Sequence, residues 1–547
     1  MRSARAAVAA IIGTTLALPG PVPATAGDGV PEIERILADE RLAGATVVAE
    51  VRDEDTGELV FARDPDRRVL PASNQKLLTA AAALEVLGPS YQFRTSVRHT
   101  GPVAGGVLRG DLYLVGQGDP TMTYERYDAL AAAVAEAGVT EVEGRVLADD
   151  GWFDRVPLGL DWSWQDEGAA DTAPVSAVSF AAGERFDNAA VEVRYRPGVA
   201  GKAPVVGVHP PTATVRLLNR AVSGSANTVT VSRDHGTRRI VVGGVVSVAG
   251  SKLVSVPDPA ATSLDLFGAA LKRHGIAFGA RTGKGSAPET AATLTAQVSD
   301  PLAEILPAML KLSNNGLAEM LVKAMSRAVE PTVPGSWPGG LAAMSEALGR
   351  LGADPGALTP ADGSGLSRRN GVTARQLTTV LAAARRKPWF GAWYAALPVA
   401  ADPDPMTGGT LRDRMRGTPA AGNARAKTGT LAGVNALSGY VTGADGRRMV
   451  FSLIVNGAAA GVSDLLDHVV IALARTETVL NGHYRSVGDR ANARPPIPQP
   501  RHPRPAVAAA ARAADRARGA HPARRAAGTD AAHLVRGALE PARGLHA

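Results

Sequence analysis

The chain has 547 residues and no cysteine, which excludes disulfide bonds, zinc–thiolate sites and a cysteine nucleophile. Its length predicts two to four domains at roughly 100–200 residues each. The formal charge of +7 comes from the two ends, because residues 1–26 and 491–547 are strongly basic and residues 27–490 carry a net charge of −2. A basic nucleic-acid-binding body is therefore not expected.

The first 26 residues have the pattern of a secretory signal peptide. Arg2 and Arg5 precede an apolar stretch over 6–18, and Ala24-Thr25-Ala26 has the form of an A-x-A cleavage site. The apolar stretch is short for spanning a bilayer, and no later run reaches about 18 uninterrupted apolar residues. We therefore expect cleavage after Ala26 and an exported, extracytoplasmic protein that is soluble once the signal is removed.

The next part of the chain reads as strands, a helix and then a β-rich region. Runs over 46–51 and 59–62 predict strands, and a helix is predicted to begin at Ser73. Residues 92–290 contain many short valine-rich runs separated by Gly, Pro and Asp, which predicts mostly β structure. The elements predicted there include strands over 107–115, 191–195, 228–231 and 240–248, and helices over 124–137 and 263–274.

Helices are predicted to dominate from about residue 295. The predicted elements are helices over 301–328, 339–351 and 373–386, strands over 437–441 and 448–455, and a last helix over 463–480. After about residue 486 the chain is rich in Arg, Ala and Pro and has few large apolar side chains, which predicts disorder. Such a tail would suit contact with an anionic wall polymer or membrane surface, or would be a solvated tail without a role.

Ser73-Asn74-Gln75-Lys76 is the first of three short motifs that follow one another in a fixed order. Ser73 stands where a loop is predicted to enter a helix, and Lys76, three residues later, lies on the same helix face. A serine hydroxyl is a weak nucleophile until a base takes its proton. Lysine can be that base only when neutral, and burial or a second nearby cation lowers its pKa. The spacing therefore permits a serine–lysine pair.

The second motif, Ser313-Asn314-Asn315, falls inside the predicted helical region. Asn315 can hydrogen-bond both a lysine and a substrate amide, and Ser313 can relay a proton to a leaving amine. Ser and Asn within a helix can also mark only a local break or cap.

The third motif, Lys427-Thr428-Gly429, is predicted to lead into a strand-like segment over 431–441. Lys427 could be the second cation, and with Thr428 it could hold a substrate carboxylate. Gly429 permits close approach of the backbone, and the N–H of Thr430 can pair with that of Ser73 as an oxyanion hole. Each motif alone is common, and it is the fixed order of all three that indicates a single serine acyl-transfer site.

The motifs lie only in the first and last parts of the chain. The simplest architecture is one α/β catalytic domain formed by 27–91 and 291–485 and split by a β-rich insert over 92–290, which we expect to contain two small domains. The signal peptide over 1–26 and the disordered tail over 486–547 flank it.

In this order the motifs resemble those of penicillin-binding proteins and class A β-lactamases. Over about residues 35–485 the chain is similar to the D-alanyl-D-alanine carboxypeptidase/endopeptidases of the class C low-molecular-weight penicillin-binding proteins, peptidase family S13. Segments over 110–121, 173–177 and 362–368 also resemble segments of that family. Asn314 stands at a variable position of its motif.

The resemblance implies an α+β, β-lactamase-like transpeptidase domain with small β-rich domains packed on it. It implies no cofactor. The roles that it implies are Ser73 as acylated nucleophile, Lys76 as base, Ser313 and Asn315 in proton relay and substrate orientation, and Lys427, Thr428 and Thr430 as the grip on the terminal D-Ala carboxylate. Arg368, in the third of those segments, is a candidate to bind a second carboxylate, at the amine-bearing end of the stem peptide.

Other patterns are weaker. Gly363-Ser364-Gly365 lacks the nucleophile elbow because Asp362 takes the place of its first glycine, so Ser364 is predicted to be a turn residue. The histidines form no H-E-x-x-H pattern, and no metal site is expected. Two tryptophans and an aspartate over 162–166 could recognise the amine-bearing end of the stem peptide, but tryptophan packing in a surface loop is the favoured explanation.

The sequence thus predicts an exported serine D-Ala-D-Ala carboxypeptidase, and also a DD-endopeptidase, that acts on peptidoglycan stem peptides through an acyl-Ser73 intermediate. β-Lactam antibiotics would acylate the same serine. One alternative is a β-lactamase or esterase of the same fold, which needs fast deacylation and for which no extra base is evident. The other is an inactive cell-wall-binding protein, against which the intact motifs argue.

Overall fold

The computed structural model describes residues 29–477. The predicted signal peptide and the basic tail from residue 486 lie outside this range. The first elements are α1 (Gly29–Ile36), β1 (Thr46–Asp53), β2 (Leu59–Arg63) and α2 (Gln75–Val86).

The elements that follow α2 are mostly short strands. They are β3 (Arg94–His99), β4 (Val103–Ala104), β5 (Val107–Leu108), β6 (Leu112–Gly116), α3 (Tyr124–Glu136), β7 (Glu141–Val142), β8 (Val146–Asp149), β9 (Ala190–Arg196), β10 (Val205–His209), β11 (Arg216–Asn219), β12 (Val222–Ser223), β13 (Thr230–Arg233), β14 (Arg239–Gly243), β15 (Val245–Val246), β16 (Gly250–Ser255), α4 (Pro259–Arg273), β17 (Ala277–Phe278), β18 (Thr282–Lys284) and β19 (Ala292–Val298).

The last part begins with helices and ends with a three-stranded meander and a helix. Its elements are α5 (Leu302–Lys311), α6 (Asn315–Val329), α7 (Trp337–Arg350), α8 (Ala374–Ala384), α9 (Phe390–Ala396), β20 (Arg425–Leu431), β21 (Val434–Thr442), β22 (Arg448–Asn456) and α10 (Ser463–Arg475). None of the helices in the described range is long and apolar enough to cross a membrane.

One five-stranded antiparallel sheet joins the first and last parts of the described residues, in the order β2-β1-β22-β21-β20. β1 pairs with β22 along its whole length, from Thr46 opposite Asn456 to Asp53 opposite Met449. β20, which carries the third motif, is an edge strand of this sheet.

Both faces of this sheet are buried. Alternate side chains of a strand point to opposite faces, and the two sets pack into two different cores. Val48, Val450 and Ile454 belong to a core that the sheet shares with α2 and α5–α8. Val47 and Phe451 belong to a second core on the other face, shared with α1 and α10. The site is therefore held between a sheet and a helical layer.

α2 is the central helix of that layer. Its residues Gln75 to Leu84 are all buried, and most are Ala or Leu, which is the composition of a helix covered on every side. Small alanine side chains let α6, α7 and α8 approach it closely. The start of α2 is consequently fixed in the interior, where the first motif lies.

The region between β3 and β19 forms its own sheets around a separate core. A five-stranded sheet has the order β18-β8-β6-β3-β19, and a four-stranded sheet has the order β17-β7-β5-β4. Smaller sheets of the orders β10-β9-β16, β11-β14-β13 and β12-β15 follow. α3 and α4 pack against each other and supply much of this core.

Several sequence-based expectations were wrong in detail. The single helix predicted over 301–328 is two helices, α5 and α6, with a break at residues 312–314. The strand predicted over 107–115 is split between two sheets. Helix α9 was not predicted. The segment over 431–441 is not one strand, because a turn at 432–433 makes β20 and β21 a hairpin.

Candidate active site

Ser73 lies in a short 3-10 turn, Ala72–Asn74, that leads directly into α2. The helix therefore begins two residues later than the sequence predicts. Ala72 has a φ of +46°, a left-handed conformation that an alanine adopts only when the surrounding structure imposes it. The turn thus presents Ser73 from a constrained backbone, as is common at functional sites.

Lys76 is fully buried at the first turn of α2. Its Nζ donates to Ser73 Oγ at 3.0 Å, to Asn315 Oδ1 at 2.6 Å and to Ser364 O at 2.8 Å. Burial lowers the pKa of Lys76 to about 8, while nearby carboxylates, of which Glu319 has the largest effect, oppose that shift. A substantial fraction of Lys76 is therefore neutral at mildly alkaline pH.

The second motif forms the break between α5 and α6. Ser313 has a φ of +61°, and Asn314 caps α6 by accepting the N–H of Leu317 at 2.9 Å. Asn315 is the first residue of α6, and its Nδ2 donates to Asp171 O at 2.9 Å while its Oδ1 accepts from Lys76. The break turns Ser313 and Asn315 toward the start of α2, which a continuous helix would not do.

Lys427, in β20, is also fully buried. Its Nζ donates to Ser313 Oγ at 3.0 Å and to Thr428 O at 2.8 Å. Burial, and after it the charge of Lys76, hold the pKa of Lys427 well below its usual range. Two buried lysines therefore lie at the bottom of the site, and the charge of Lys76 contributes to the lowered pKa of Lys427.

β20 lies against the turn that carries Ser73. The buried Asn74 donates from Nδ2 to Lys427 O at 3.0 Å, which ties the first motif to the third. A Cβ at Gly429 would meet Pro71 O at 2.8 Å and Asn74 Nδ2 at 3.1 Å, so only glycine fits this approach without a shift.

A cavity of about 350 Å³ opens above these groups. Its lining brings together residues from all three motifs and from other segments: Ser73, Asp171, Leu312, Ser313, Asn315, Gly365, Leu366, Thr410, Thr428, Thr430 and Leu431. Thr428 Oγ1 donates to Thr410 Oγ1 at 2.9 Å, which orients the Thr428 hydroxyl. The space suits a short peptide end rather than a large ligand.

Arg368 takes a different position from the other predicted site residues. It is exposed, and its Nη2 donates to Ala432 O at 3.2 Å, at the turn between β20 and β21.

Trp162 donates from Nε1 to Asp362 Oδ2 at 2.9 Å and packs edge-on against Trp337. Trp162 therefore anchors its loop to the segment over 362–368, whereas Trp164 is 65% exposed.

Sequence reasoning missed three contributors. Glu319 is fully buried behind Lys76, Asp171 comes from the region between β8 and β9, and Thr410 precedes β20. Ser364 was expected to be a turn residue, and its backbone carbonyl contacts Lys76. No local signal marks these residues, because each reaches the site through the packing of distant segments.

A serine at a constrained turn, two buried lysines and an antiparallel sheet backed by helices define a serine acyl-transfer enzyme of the penicillin-binding and β-lactamase class. A family model for the D-Ala-D-Ala carboxypeptidase 3 (S13) family matches residues 30–476. The chain belongs to this family. The predicted family, fold class and enzyme class, a serine-type D-Ala-D-Ala carboxypeptidase, are confirmed.

Similar proteins agree with this assignment. The chain is 43% identical over 469 residues to a D-alanyl-D-alanine carboxypeptidase of Actinomadura sp. (strain R39), covering 84% of this chain and 86% of the relative. It is 27% identical over 404 residues to D-alanyl-D-alanine carboxypeptidase DacB of Haemophilus influenzae, covering 72% and 81%. The crystal structure of penicillin binding protein 4 (dacB) from Haemophilus influenzae matches its fold with a TM-score of 0.71 at 24% identity, covering 81% of this chain and 98% of that one.

Proposed function

We propose that this enzyme removes the terminal D-Ala from peptidoglycan stem peptides through an acyl-Ser73 intermediate. The observation that supports this most directly is the pair of contacts from Lys76 Nζ to Ser73 Oγ at 3.0 Å and from Lys427 Nζ to Ser313 Oγ at 3.0 Å, on one cavity. Each serine hydroxyl thus has a lysine at hydrogen-bond distance.

In the acylation step, neutral Lys76 takes the proton of the Ser73 hydroxyl. Ser73 Oγ then bonds to the carbonyl carbon of the penultimate D-Ala, and the oxyanion that forms accepts hydrogen bonds from the N–H groups of Ser73 and Thr430. Asn315 orients Lys76 and the substrate amide. The lysine must be neutral when the step begins, and the burial that lowers its pKa favours that state.

The bond from this carbon to the nitrogen of the leaving D-Ala then breaks. The nitrogen receives a proton from the Ser313 hydroxyl. Lys427 returns a proton to Ser313, and Lys76 passes on the proton that it took from Ser73, so that one proton in total moves from Ser73 to the leaving amine. Water next attacks the acyl-serine ester, gives its proton to Lys76 and releases the shortened peptide, and Ser73 regains its proton. Lys427, Thr428 and Thr430 hold the carboxylate of the leaving D-Ala, and Gly429 admits the peptide beside β20.

We further propose the finer features of this assignment. The same site would cleave D-configured crosslinks as a DD-endopeptidase, and β-lactams would acylate Ser73 and leave slowly. Arg368 would bind a carboxylate near the mouth of the site. Residues 27–91 and 291–485 would form the catalytic domain, with the insert over 92–290. Export through residues 1–26 would bring the enzyme to its substrate, and the tail over 486–547 would touch an anionic wall or membrane surface.

The test is covalent labelling of the full-length enzyme by a fluorescent penicillin, beside Ser73→Ala. A stable labelled band that the variant loses, together with D-Ala release that the variant also loses, is expected. Release of D-Ala by Ser73→Ala would overturn the acyl-enzyme mechanism. Rapid hydrolysis of penicillin without a stable band would support a β-lactamase, and intact penicillin without a band would support an inactive wall-binding protein.

A further inference from the structure

α6 carries a buried glutamate that lies outside the three motifs. Glu319 is fully buried, and its carboxyl group accepts the N–H of Ser364 at 2.7 Å, the N–H of Gly363 at 2.9 Å and Trp337 Nε1 at 2.8 Å. Three N–H donors that converge on one carboxyl group favour its ionised form, which only accepts hydrogen bonds. In its ionised form Glu319 therefore places a buried negative charge close to the proposed base.

Glu319 binds the same backbone segment, residues 363–364, that contacts Lys76. In the peptide unit between residues 363 and 364, Glu319 accepts from the N–H, and Thr79 Oγ1 donates to the carbonyl at 2.7 Å. In the next unit, Asp362 accepts the N–H of Gly365 at 2.8 Å, and the Ser364 carbonyl accepts from Lys76 Nζ at 2.8 Å. Because peptide units are planar, fixing the first unit restricts where the second can point its carbonyl.

We propose that Glu319 is a positioning residue for the general base. It fixes the 363–364 backbone so that the Ser364 carbonyl orients the Lys76 ammonium group toward Ser73, and its negative charge counters the burial of that ammonium. The inference rests on the proposed role of Lys76 as base and adds a residue that acts through it.

The charges around this group set the direction of the expected effect. Among the carboxylates near Lys76, Glu319 raises its pKa the most, followed by Asp362 and Asp171, while burial lowers it. Burial and Asp362 raise the pKa of Glu319 itself to about 7. On its other side Glu319 faces Lys323, whose ammonium is paired with Asp154 at 2.5 Å, and Lys427 faces Lys76 across the site.

Glu319→Gln is the decisive variant, because it keeps the size of the side chain but removes its charge and turns one acceptor into a donor. That donor would face an N–H, so the 363–364 backbone must shift. We expect the plateau rate of Ser73 acylation by fluorescent penicillin to fall about tenfold or more. Since a negative charge is lost beside Lys76, its pKa falls, and the acid limb of the pH–rate profile moves to lower pH.

Glu50→Gln is the matched control. Glu50 is equally buried, on β1, where it accepts from Thr378 Oγ1 at 2.6 Å and has no contact with the three motifs among the described residues. This control is expected to keep the wild-type acid limb even if its melting temperature falls. If folded Glu319→Gln keeps the wild-type acid limb of the pH–rate profile, or if that limb moves to higher pH, Glu319 has only a structural role and the proposal is wrong.

A second variant keeps the test decisive if Glu319→Gln does not fold. Trp337→Phe removes one donor to Glu319 and leaves an aromatic ring in place, so Glu319 ionises less readily and the limb should shift in the same direction by a smaller amount. No shift in folded Trp337→Phe would then overturn the proposal. Wild-type labelling that does not depend on Ser73 would instead refute the proposed function, and it is measured first.

Discussion

Gly429→Ala tests whether the distance between β20 and the Ser73 turn controls the reaction. The added Cβ would lie 2.8 Å from Pro71 O, whereas comfortable C···O contacts begin at about 3.3 Å. Either the strand or the turn must therefore move by about 0.5 Å. Since a displacement of about 1 Å can slow a reaction about 100-fold, we expect acylation to slow about 10- to 100-fold, and overpacking to lower stability by about 1–3 kcal/mol.

The assay measures the acylation rate constant with fluorescent penicillin and the melting temperature of the same samples. Gly283→Ala is the control, because Gly283 lies in strand β18 and a Cβ there would meet nothing within 4 Å. The control should acylate at the wild-type rate. A folded Gly429→Ala enzyme that acylates within about twofold of wild type, less than the 0.5 Å shift predicts, would refute the reasoning, since the oxyanion hole would then not depend on this close approach.

Three further predictions concern the lysines and their partners. Acylation should rise with pH through about 8, the pKa of Lys76, because the base must be neutral, and a labelling rate that is flat below this pH would contradict it. Ser313→Gly can adopt the φ of +61° but lacks the hydroxyl, so D-Ala release should fall about 100-fold or more while the melting temperature stays the same. D-Ala release at the wild-type rate would exclude the proton relay through Ser313. Asp154→Ala leaves the Lys323 ammonium buried and unpaired, which should cost about 3 kcal/mol in urea unfolding, and a loss below about 1 kcal/mol would contradict this.

The contact between Ser73 and Lys76 was predictable because it depends only on a spacing of three residues at a helix start. The contact between Ser313 and Lys427 depends on the whole fold, and the order of the motifs indicated only that both residues belong to one site. Glu319 gave no signal, because a glutamate in an amphipathic helix is usually exposed and its burial depends on packing against the segment over 362–368.

The errors in secondary structure have physical causes. Residues 425–431 contain Arg, Lys and Gly, which local preference does not assign to a strand, yet pairing with β21 makes them one. The break at 312–314 was hidden by good helix formers on both sides, although Ser313 and Asn314 are residue types that favour a helix cap. In both places the tertiary structure overrides the local preference, and in both places the exception forms part of the site.

The strand pairing of the central sheet also determines when the enzyme can become active. Val48 pairs with Ile454, and the edge strand that carries Lys427 joins the sheet only through β21 and β22. Ser73 and Lys76 are synthesised early, but Lys427 and the strand β20 that lies beside the Ser73 turn follow much later in the chain. Because such distant pairings form late and slowly in folding, the proposed site is complete only once β20, β21 and β22 are in place.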